Sequence, residues 1–334
     1  MAIRKTESRL PANFQASDLG ESVTAVDGRF SLVSFVTAPL GLDRENRYVV
    51  FVTDAGLASV VRSFEWQFVE NGGAPQSQTT TMGEVAYRPQ VLGTLVVNVR
   101  LLGAGNATQG SLTLSQTVIA LNTELETLIT EARNQPGPGA SNPAVLRELI
   151  NDLSPYYQAV SLQAAESGEG FQKFVFSLVH DGLLQRPGTL QQQQLNQLAA
   201  ALNGTEGDFV TLAAAGTGVC GIRLALLAMT LPQAAGGATP ILPWTELPDV
   251  PNQRALADEQ LRRSLAALEE TRRIDLFNLV RFPKSNITLC SRILEALRDR
   301  YFSGTNFEDV LTGLSGTRAH WIMRHYREGP LVRT

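Results

Sequence analysis

Residues 64–68, Phe-Glu-Trp-Gln-Phe, and residues 95–101, Leu-Val-Val-Asn-Val-Arg-Leu, decide the fold of the first third of the chain. In both stretches at least every second side chain is apolar. Because successive side chains of a β-strand point to opposite faces, this alternation predicts strands with one buried and one solvated face. Turn residues such as Asn71-Gly72-Gly73 separate these stretches at short intervals, which is typical of antiparallel strands joined by hairpins.

Residues 28–118 are therefore predicted to form one β-domain, preceded by an N-terminal extension at residues 1–27. Trp66 lies in a strand near the middle of this domain, and its face carries Phe64 and Phe68 as well. The predicted strands are 30–36, 48–52, 64–69, 84–88, 94–101 and 111–117.

The Trp strand, the segment 92–100 and the last strand at 111–114 together resemble an immunoglobulin-like sandwich of the polycystic-kidney-disease (PKD) type. The resemblance covers about 90 residues and departs from the PKD pattern at 69–72, where PKD repeats carry an acidic, Gly-rich turn. The β-domain also lacks a cysteine pair. The resemblance implies a spacer, or an adhesive and protein-binding module.

Beyond residue 119 the apolar period changes to 3.6, as in Leu121, Leu125 and Leu128, which predicts amphipathic helices. Residues 119–334 are expected to be an all-α domain, and the Pro- and Gly-rich stretch 232–251 is a candidate border between two subdomains. The expected fold class is thus multidomain, an N-terminal all-β immunoglobulin-like sandwich followed by an all-α helical domain. The predicted helices include 171–179, 190–202, 222–230, 254–273, 287–302, 307–314 and 317–327.

The composition restricts the classes of function. The chain has 334 residues, a formal net charge of −4, three His and two Cys. We therefore expect no His/Cys metal cluster, no disulfide framework and no cofactor, with Cys220 and Cys290 as reduced core residues. No apolar run is long enough to cross a bilayer, and no secretory signal is visible at the start, which predicts a cytoplasmic location at synthesis. Export by a dedicated secretion system stays open.

Residues 216–221, Gly-Thr-Gly-Val-Cys-Gly, match the G-x-G-x-x-G pattern of dinucleotide-binding proteins. In that pattern the glycines let backbone amides approach a pyrophosphate at a helix N-terminus. Here the βαβ context is missing and the stretch after the motif is rich in Pro. We interpret Gly216, Gly218 and Gly221 as a loop between close-packed helices, with nucleotide binding as an alternative.

Glu166-Ser167-Gly168, with the later Gly-rich segment 218–224, resembles the Glu-Ser pair and second element of lytic transglycosylases. In that family the Glu is a general acid with a raised pKa that protonates a glycosidic oxygen. The spacing in this chain is longer, and the Gln and Met expected in the second element are missing. The alternative interpretation of Glu166 is a helix end capped by Gly168.

A basic helix is predicted at the C-terminal end, and its cationic side chains are candidate binding residues. His320 and His325 are five residues apart, about 140° around a helix, so they cannot hold one metal ion. The competing interpretation is a solvated cationic helix end. The candidate residues are Arg318, His320, Arg324, His325 and Arg327.

Taken together, these patterns favour a non-enzymatic protein-binding or assembly component of a bacterial-type system. The expected partner is another protein or a second copy of the chain, with a glycan as a further option, and a nucleic-acid partner is disfavoured because no strongly basic patch is visible. The alternatives are a cell-wall glycan hydrolase acting through Glu166 and a nucleotide-binding regulatory protein acting through 216–221.

Overall fold

The computed structural model describes residues 3–37, 39–120, 188–204, 208–233, 237–312 and 317–331, together with positions 171, 174, 175, 178, 179 and 182. The chain divides into two compact units. The described part of the first is built mainly from strands, and that of the second from helices. This confirms the expected fold class.

The first unit is a sandwich of two β-sheets. Its strands are β1 (Glu21–Thr24), β2 (Phe30–Ser34), β3 (Leu40–Gly41), β4 (Asn46–Val52), β5 (Ser63–Glu70), β6 (Gln76–Thr80), β7 (Glu84–Tyr87), β8 (Gly93–Leu102) and β9 (Thr108–Ile119). One sheet has the order β1-β2-β4-β7 and the other β3-β9-β8-β5-β6. Neighbouring strands are antiparallel except β3 and β9. Two facing sheets of this kind fit an immunoglobulin-like module.

The aromatic face of β5 lies in the core between the sheets, as the alternation predicts. Phe64, Trp66 and Phe68 are buried. Opposite them across β5 and β8 lie apolar partners, in order Leu101, Val99 and Val97. The Trp66 indole Nε1 donates a hydrogen bond to Thr80 Oγ1 at 2.9 Å, which satisfies the one polar atom of this side chain.

A buried polar network lies at an inward position of the same core. Gln116 is an inward-facing residue of β9 and is 2% exposed. Its Oε1 accepts from Tyr48 OH at 3.0 Å, and its Nε2 donates to Val36 O at 3.1 Å and to Glu21 Oε2 at 2.6 Å. Asn46 Nδ2 donates to Ser34 Oγ at 2.8 Å. The network joins β1, β2, β4 and β9, so it specifies how these strands meet.

Part of the predicted N-terminal extension belongs to the sandwich. β1 lies within residues 1–27 and pairs with β2 in register, Val23 opposite Leu32. Ile3 and Leu19 are buried. The prediction left these residues outside the sheets because a four-residue edge strand has too few positions to show an apolar period.

Two further strands carry no alternation. β3 has two residues, and β6 consists of Gln76-Ser77-Gln78-Thr79-Thr80, all polar. Backbone pairing with β9 and β5 places them in the sheet, with no apolar side chain to mark β6.

The second unit is helical in its described residues. The first unit contains two short helices, α1 (Ala16–Leu19) and α2 (Ala55–Val60). The described helices that follow are α3 (Gly188–Asn203), α4 (Phe209–Leu212), α5 (Leu224–Thr230), α6 (Pro251–Ala266), α7 (Glu270–Arg281), α8 (Pro283–Tyr301), α9 (Phe307–Thr312) and α10 (Thr317–Glu328). The described positions between 171 and 182 are also helical and buried, in the spacing of one helix face.

The predicted helix 254–273 is two helices in the structure, α6 and α7, with a break at residues 267–269. All residues from Ile274 to Arg281 of α7 are buried. A helix that is buried on every side shows no amphipathic period, which explains why the pattern failed here. The candidate border at 232–251 is bonded to the helical unit on both sides: Leu242 N donates to Ala228 O at 2.9 Å, and Leu247 N donates to Pro330 O at 2.5 Å.

Candidate functional site

The exposed sheet edge at β6 is the candidate binding surface. β6 pairs with β5 on one side and is the last strand of its sheet. Residues 76–79 are exposed to solvent, whereas the neighbouring strand β5 alternates between buried and partly buried positions. An edge strand presents backbone N–H and C=O groups that a further strand can pair with.

Among the four strands at the ends of the two sheets, β6 has neither a charged residue nor the short length that blocks pairing. β1 and β7 carry Glu21 and Glu84, and β3 is two residues long. Residues 71–83 contain no Asp, Glu, Lys or Arg at all. Charged side chains and very short strands are the usual means by which proteins keep sheet edges apart. Among the end strands that the structure describes, β6 is the one that has neither.

Sequence reasoning missed this surface because an all-polar pentapeptide resembles a loop. A weaker signal is present: Pro75 and Gly83 enclose a charge-free stretch that lies between two predicted strands. Thr79 and Ser77 lie opposite Glu65 and Gln67 in register.

The buried carboxylates of the sandwich have structural partners. Glu70 accepts from Tyr87 OH at 2.5 Å and from Gln90 N at 3.0 Å. Burial, and then the Glu70 side chain, raise the pKa of Tyr87 above its ordinary value. Glu7 accepts from Arg4 Nε at 2.7 Å and from Gly83 N at 3.0 Å. These bonds tie loop and strand segments of the sandwich together.

The glycine motif 216–221 forms a tight turn between α4 and α5. Thr217 N donates to Ile222 O at 2.8 Å and Gly221 N donates to Gly218 O at 3.0 Å. Cys220 N donates to the Asn286 side chain at 2.8 Å. Three amides of the turn therefore already have acceptors within the protein. In residues 208–233 a helix, not a strand, precedes the motif.

The glycines of this turn are explained by close packing. A Cβ on Gly216 would lie 2.1 Å from Gly221 O, and a Cβ on Gly218 would lie 2.3 Å from Val280 O. Gly218 and Gly221 also have φ angles of +73° and +63°, which favour glycine. The turn is thus built to fit against Asn286 and Val280.

The predicted cationic residues of α10 do not form one surface. His320 is exposed, but His325 is 1% exposed, its Nδ1 accepts from Leu331 N at 2.9 Å, and its ring stacks on Tyr301 with centroids 3.9 Å apart. The interpretation of a solvated cationic end is therefore wrong for His325. The sequence showed only its five-residue distance from His320, and its contacts with the Tyr301 ring and the Leu331 amide are visible only in the fold.

The arginines of the same helix are held by neighbouring groups. Arg324 pairs with Asp249 at 2.5 Å and with Glu328 at 3.5 Å, and lies over the Trp321 ring at 5.5 Å. Arg318 lies over the Phe302 ring at 5.9 Å. Arg327 is exposed, and its carbonyl accepts from Arg223 at 3.4 Å. The structure brings Arg324 and His325 into internal contacts and leaves His320 and Arg327 at the surface.

The motif Glu166-Ser167-Gly168 lies outside the described part of the chain, as does the predicted helical stripe of Leu121, Leu125 and Leu128. Within the described ranges, no group of three or more His, Cys, Asp or Glu side chains is placed to hold a metal ion. The described helices include none with the length and apolar character needed to cross a membrane.

Comparison with known proteins gives one partial likeness. No protein-family model matches the chain, and no curated protein matches it. Among solved structures, the chain is similar to a CARDB domain from Pyrococcus furiosus, determined in complex with di-metal ions. The identity is 15%, the TM-score is 0.17, and the match covers 29% of this chain and 93% of that one. The immunoglobulin-like character of the first unit rests on its two sheets and their strand order.

Proposed function

We propose that the protein is a non-enzymatic assembly component that associates with a second copy of itself through β6. The proposal rests on one observation, the exposed and charge-free edge strand of a five-stranded sheet. Adding a strand to such an edge pairs backbone groups that are otherwise solvated, and this is a common mode of recognition between proteins.

A second copy is the partner whose charges suit this edge. Two antiparallel copies of β6 related by a two-fold axis at Gln78 place Ser77 opposite Thr79 and Gln78 opposite itself. A two-fold contact brings identical residues together, so any charge near the axis would repel its copy. Residues 71–83 hold no charge that could do so.

The PKD-type resemblance supports the same class of function, because it implies spacer, adhesive and protein-binding modules. The partners found for Glu7 and Glu70 support it as well, since both carboxylates are engaged in holding the sandwich. A five-residue contact is small, so the association is expected to be weak and to depend on concentration.

Sedimentation velocity of the full chain, from about 10 µM to about 1 mM, tests the proposal in the range of weak complexes. The weight-average mass of the wild type should rise from 36.2 kDa toward twice that value. Gln78→Lys places two ammonium groups against each other at the axis and should keep the protein monomeric. Thr94→Lys is the matched control, because Thr94 is exposed on β8, which is flanked by β5 and β9.

A wild type that stays at 36.2 kDa over the whole range would contradict the proposal. So would a dimer that Gln78→Lys and Thr94→Lys leave equally intact, since the contact would then lie elsewhere.

A further inference from the structure

The segment of residues 3–9 docks on the sandwich through its side chains. Ile3 belongs to the core cluster and is 4% exposed, and Glu7 is fully buried. The backbone of the segment forms one helical turn of its own, in which Glu7 N donates to Arg4 O at 2.9 Å. The segment is therefore held as a peptide in a groove, in contrast to β1, which is held by strand pairing.

The groove binds one cation and one anion of the segment, three residues apart. Glu84, at the start of β7, accepts from Arg4 Nη2 at 2.9 Å. Gly83, in the turn between β6 and β7, donates its backbone N–H to Glu7 Oε2 at 3.0 Å. Arg4 Nε also donates to Glu7 Oε1 at 2.7 Å, so the two charges of the segment are paired with each other and with the groove. Hydrogen bonds of this charge-assisted kind are stronger than neutral ones.

The shape of the groove suits this segment. A Cβ at Gly83 would lie 3.0 Å from Val50 O and 3.1 Å from Glu7 Oε2, so glycine lets the carboxylate reach the backbone N–H. Residues 81–83 link the end strand of one sheet to the end strand of the other, and the segment closes the core at this crossing. The groove thus accepts an apolar side chain followed by Arg and Glu, in the spacing Ile-Arg-x-x-Glu.

A tight turn joins the segment to the rest of the unit. Phe14 N donates to Pro11 O at 3.1 Å, and Asn13 inside the turn has a φ of +69°. A positive φ is uncommon for residues other than glycine, and straightening of the turn relieves it. Short hinges under strain favour the exchange of an end segment between copies of a chain.

We propose that two copies of the chain exchange residues 3–9, so that the segment of each copy fills the groove of the other. The contacts of the docked segment are the same in the exchanged form, because the occupant is identical and only the hinge rearranges. The segment must leave its own groove first, so the exchanged dimer forms slowly and reverses slowly. It is a second contact between copies and does not require pairing of β6.

The test on the wild type uses the full chain at about 1 mM, kept overnight in urea below its unfolding transition so that local opening frees the segment. After the urea is removed and the protein is diluted to about 10 µM, sedimentation velocity should show a species of twice 36.2 kDa that returns to monomer over hours. Gln78→Lys, which blocks pairing of β6, should form this species in the same amount. Asn13→Gly relaxes the closed hinge and should form it several-fold less.

A wild type that gives no persistent dimer would overturn the proposal. Loss of the persistent dimer in Gln78→Lys would overturn it as well, because the contact would then be β6.

A second variant tests which groove is filled. A chain lacking Ala12 and Asn13 has a hinge too short for the segment to reach its own groove, so it should be a dimer even at about 10 µM. An excess of a synthetic peptide of residues 3–9 with blocked ends should enter the groove and convert this dimer to monomer. The same peptide with Glu7→Ala is the matched control and should need about ten times the concentration, because Gly83 N then lacks its acceptor. A folded deletion variant that stays monomeric, or whose dimer responds equally to the two peptides, would exclude the exchange.

Discussion

In the sandwich, most inward positions of the central strands carry apolar side chains, whereas the glycine turn and the C-terminal segment of the helical unit are held by polar side chains. Trp66 and its partners on β8 exemplify the first kind of region. Asn286, His325 and Arg324 exemplify the second. The difference shows which contacts can be predicted from sequence. Packing of apolar side chains gives the sequence a regular apolar period, whereas polar contacts between residues far apart in the chain give it none.

The largest effect is expected in the apolar region. Trp66→Ala should lower the free energy of unfolding of the sandwich by about 3–5 kcal/mol, because it removes a fully buried aromatic side chain and leaves a cavity. Hydrogen exchange of the β5 amides in increasing urea measures it. The control is Gln67→Ala, on the opposite face of the same strand, which should change the value by less than about 0.5 kcal/mol.

If Trp66→Ala and Gln67→Ala had the same small effect, the aromatic face would not be the core of the sandwich.

The next effect concerns the glycine turn. Gly218→Ala should cost about 2–5 kcal/mol, because alanine is disfavoured at φ +73° and its Cβ would lie 2.3 Å from Val280 O. Gly304→Ala is the matched control, since Gly304 has φ +78° and open space around it. It should cost only the conformational part, about 1–2 kcal/mol.

Urea unfolding, followed by the far-ultraviolet circular dichroism signal of the helices, compares the two variants under the same conditions. Equal losses for both would show that the turn has room beside α8, and the packing explanation of the motif would then be wrong.

A smaller effect is expected from the buried histidine. His325→Phe keeps a flat ring against Tyr301 but removes the acceptor for Leu331 N, and it should cost about 1–3 kcal/mol. The exposed His320→Phe is the control. Faster hydrogen exchange of the Leu331 amide in His325→Phe, and not in His320→Phe, is the expected result. Unchanged protection in both variants would contradict the role assigned to Nδ1.

The smallest effect belongs to the surface ion pairs. Arg254 pairs with Glu328 and lies 3.9 Å from Asp249, where Arg324 also binds, so Arg254→Gln should cost about 0.5–1 kcal/mol and less at 1 M salt. The pair of Arg263 with Glu259 is the comparison, because Arg263 is far more exposed than Arg254 and Glu259 keeps Arg262 as a second partner, so Arg263→Gln should have no measurable effect. Thermal melts at low and high salt distinguish the two, and a salt-independent loss would mean that Arg254 acts through packing.

The parts of the fold that could be predicted are those with a period. The alternation in 64–68 and 95–101 predicted β5 and β8, and the helical stripes predicted α3 and α10. β6 was missed because its five side chains are all polar, and residues 274–281 of α7 were missed because they are buried on every side. Both failures have one physical reason, which is that neither segment has one wet and one dry face.

The candidate sites were less predictable than the fold. The sequence singled out Gly216, Gly218 and Gly221 by their spacing, but Gly218 packs against Asn286 and Val280, more than 60 residues away along the chain. Such partners are adjacent only in space, so no local pattern reports them.

The Gln116 network has a consequence for the order of events during synthesis. Gln116 bonds to Val36 and to Glu21, which are 80 and 95 positions earlier in the chain. Strands β1, β2 and β4 leave the ribosome long before β9, and until then Tyr48 and Ser34 lack the partner that Gln116 provides. The nascent sandwich is therefore expected to remain incomplete, with polar groups facing an open core, until the last strand emerges. A premature stop before residue 116 should yield a fragment that depends on chaperones, even though most of the apolar core residues are already present.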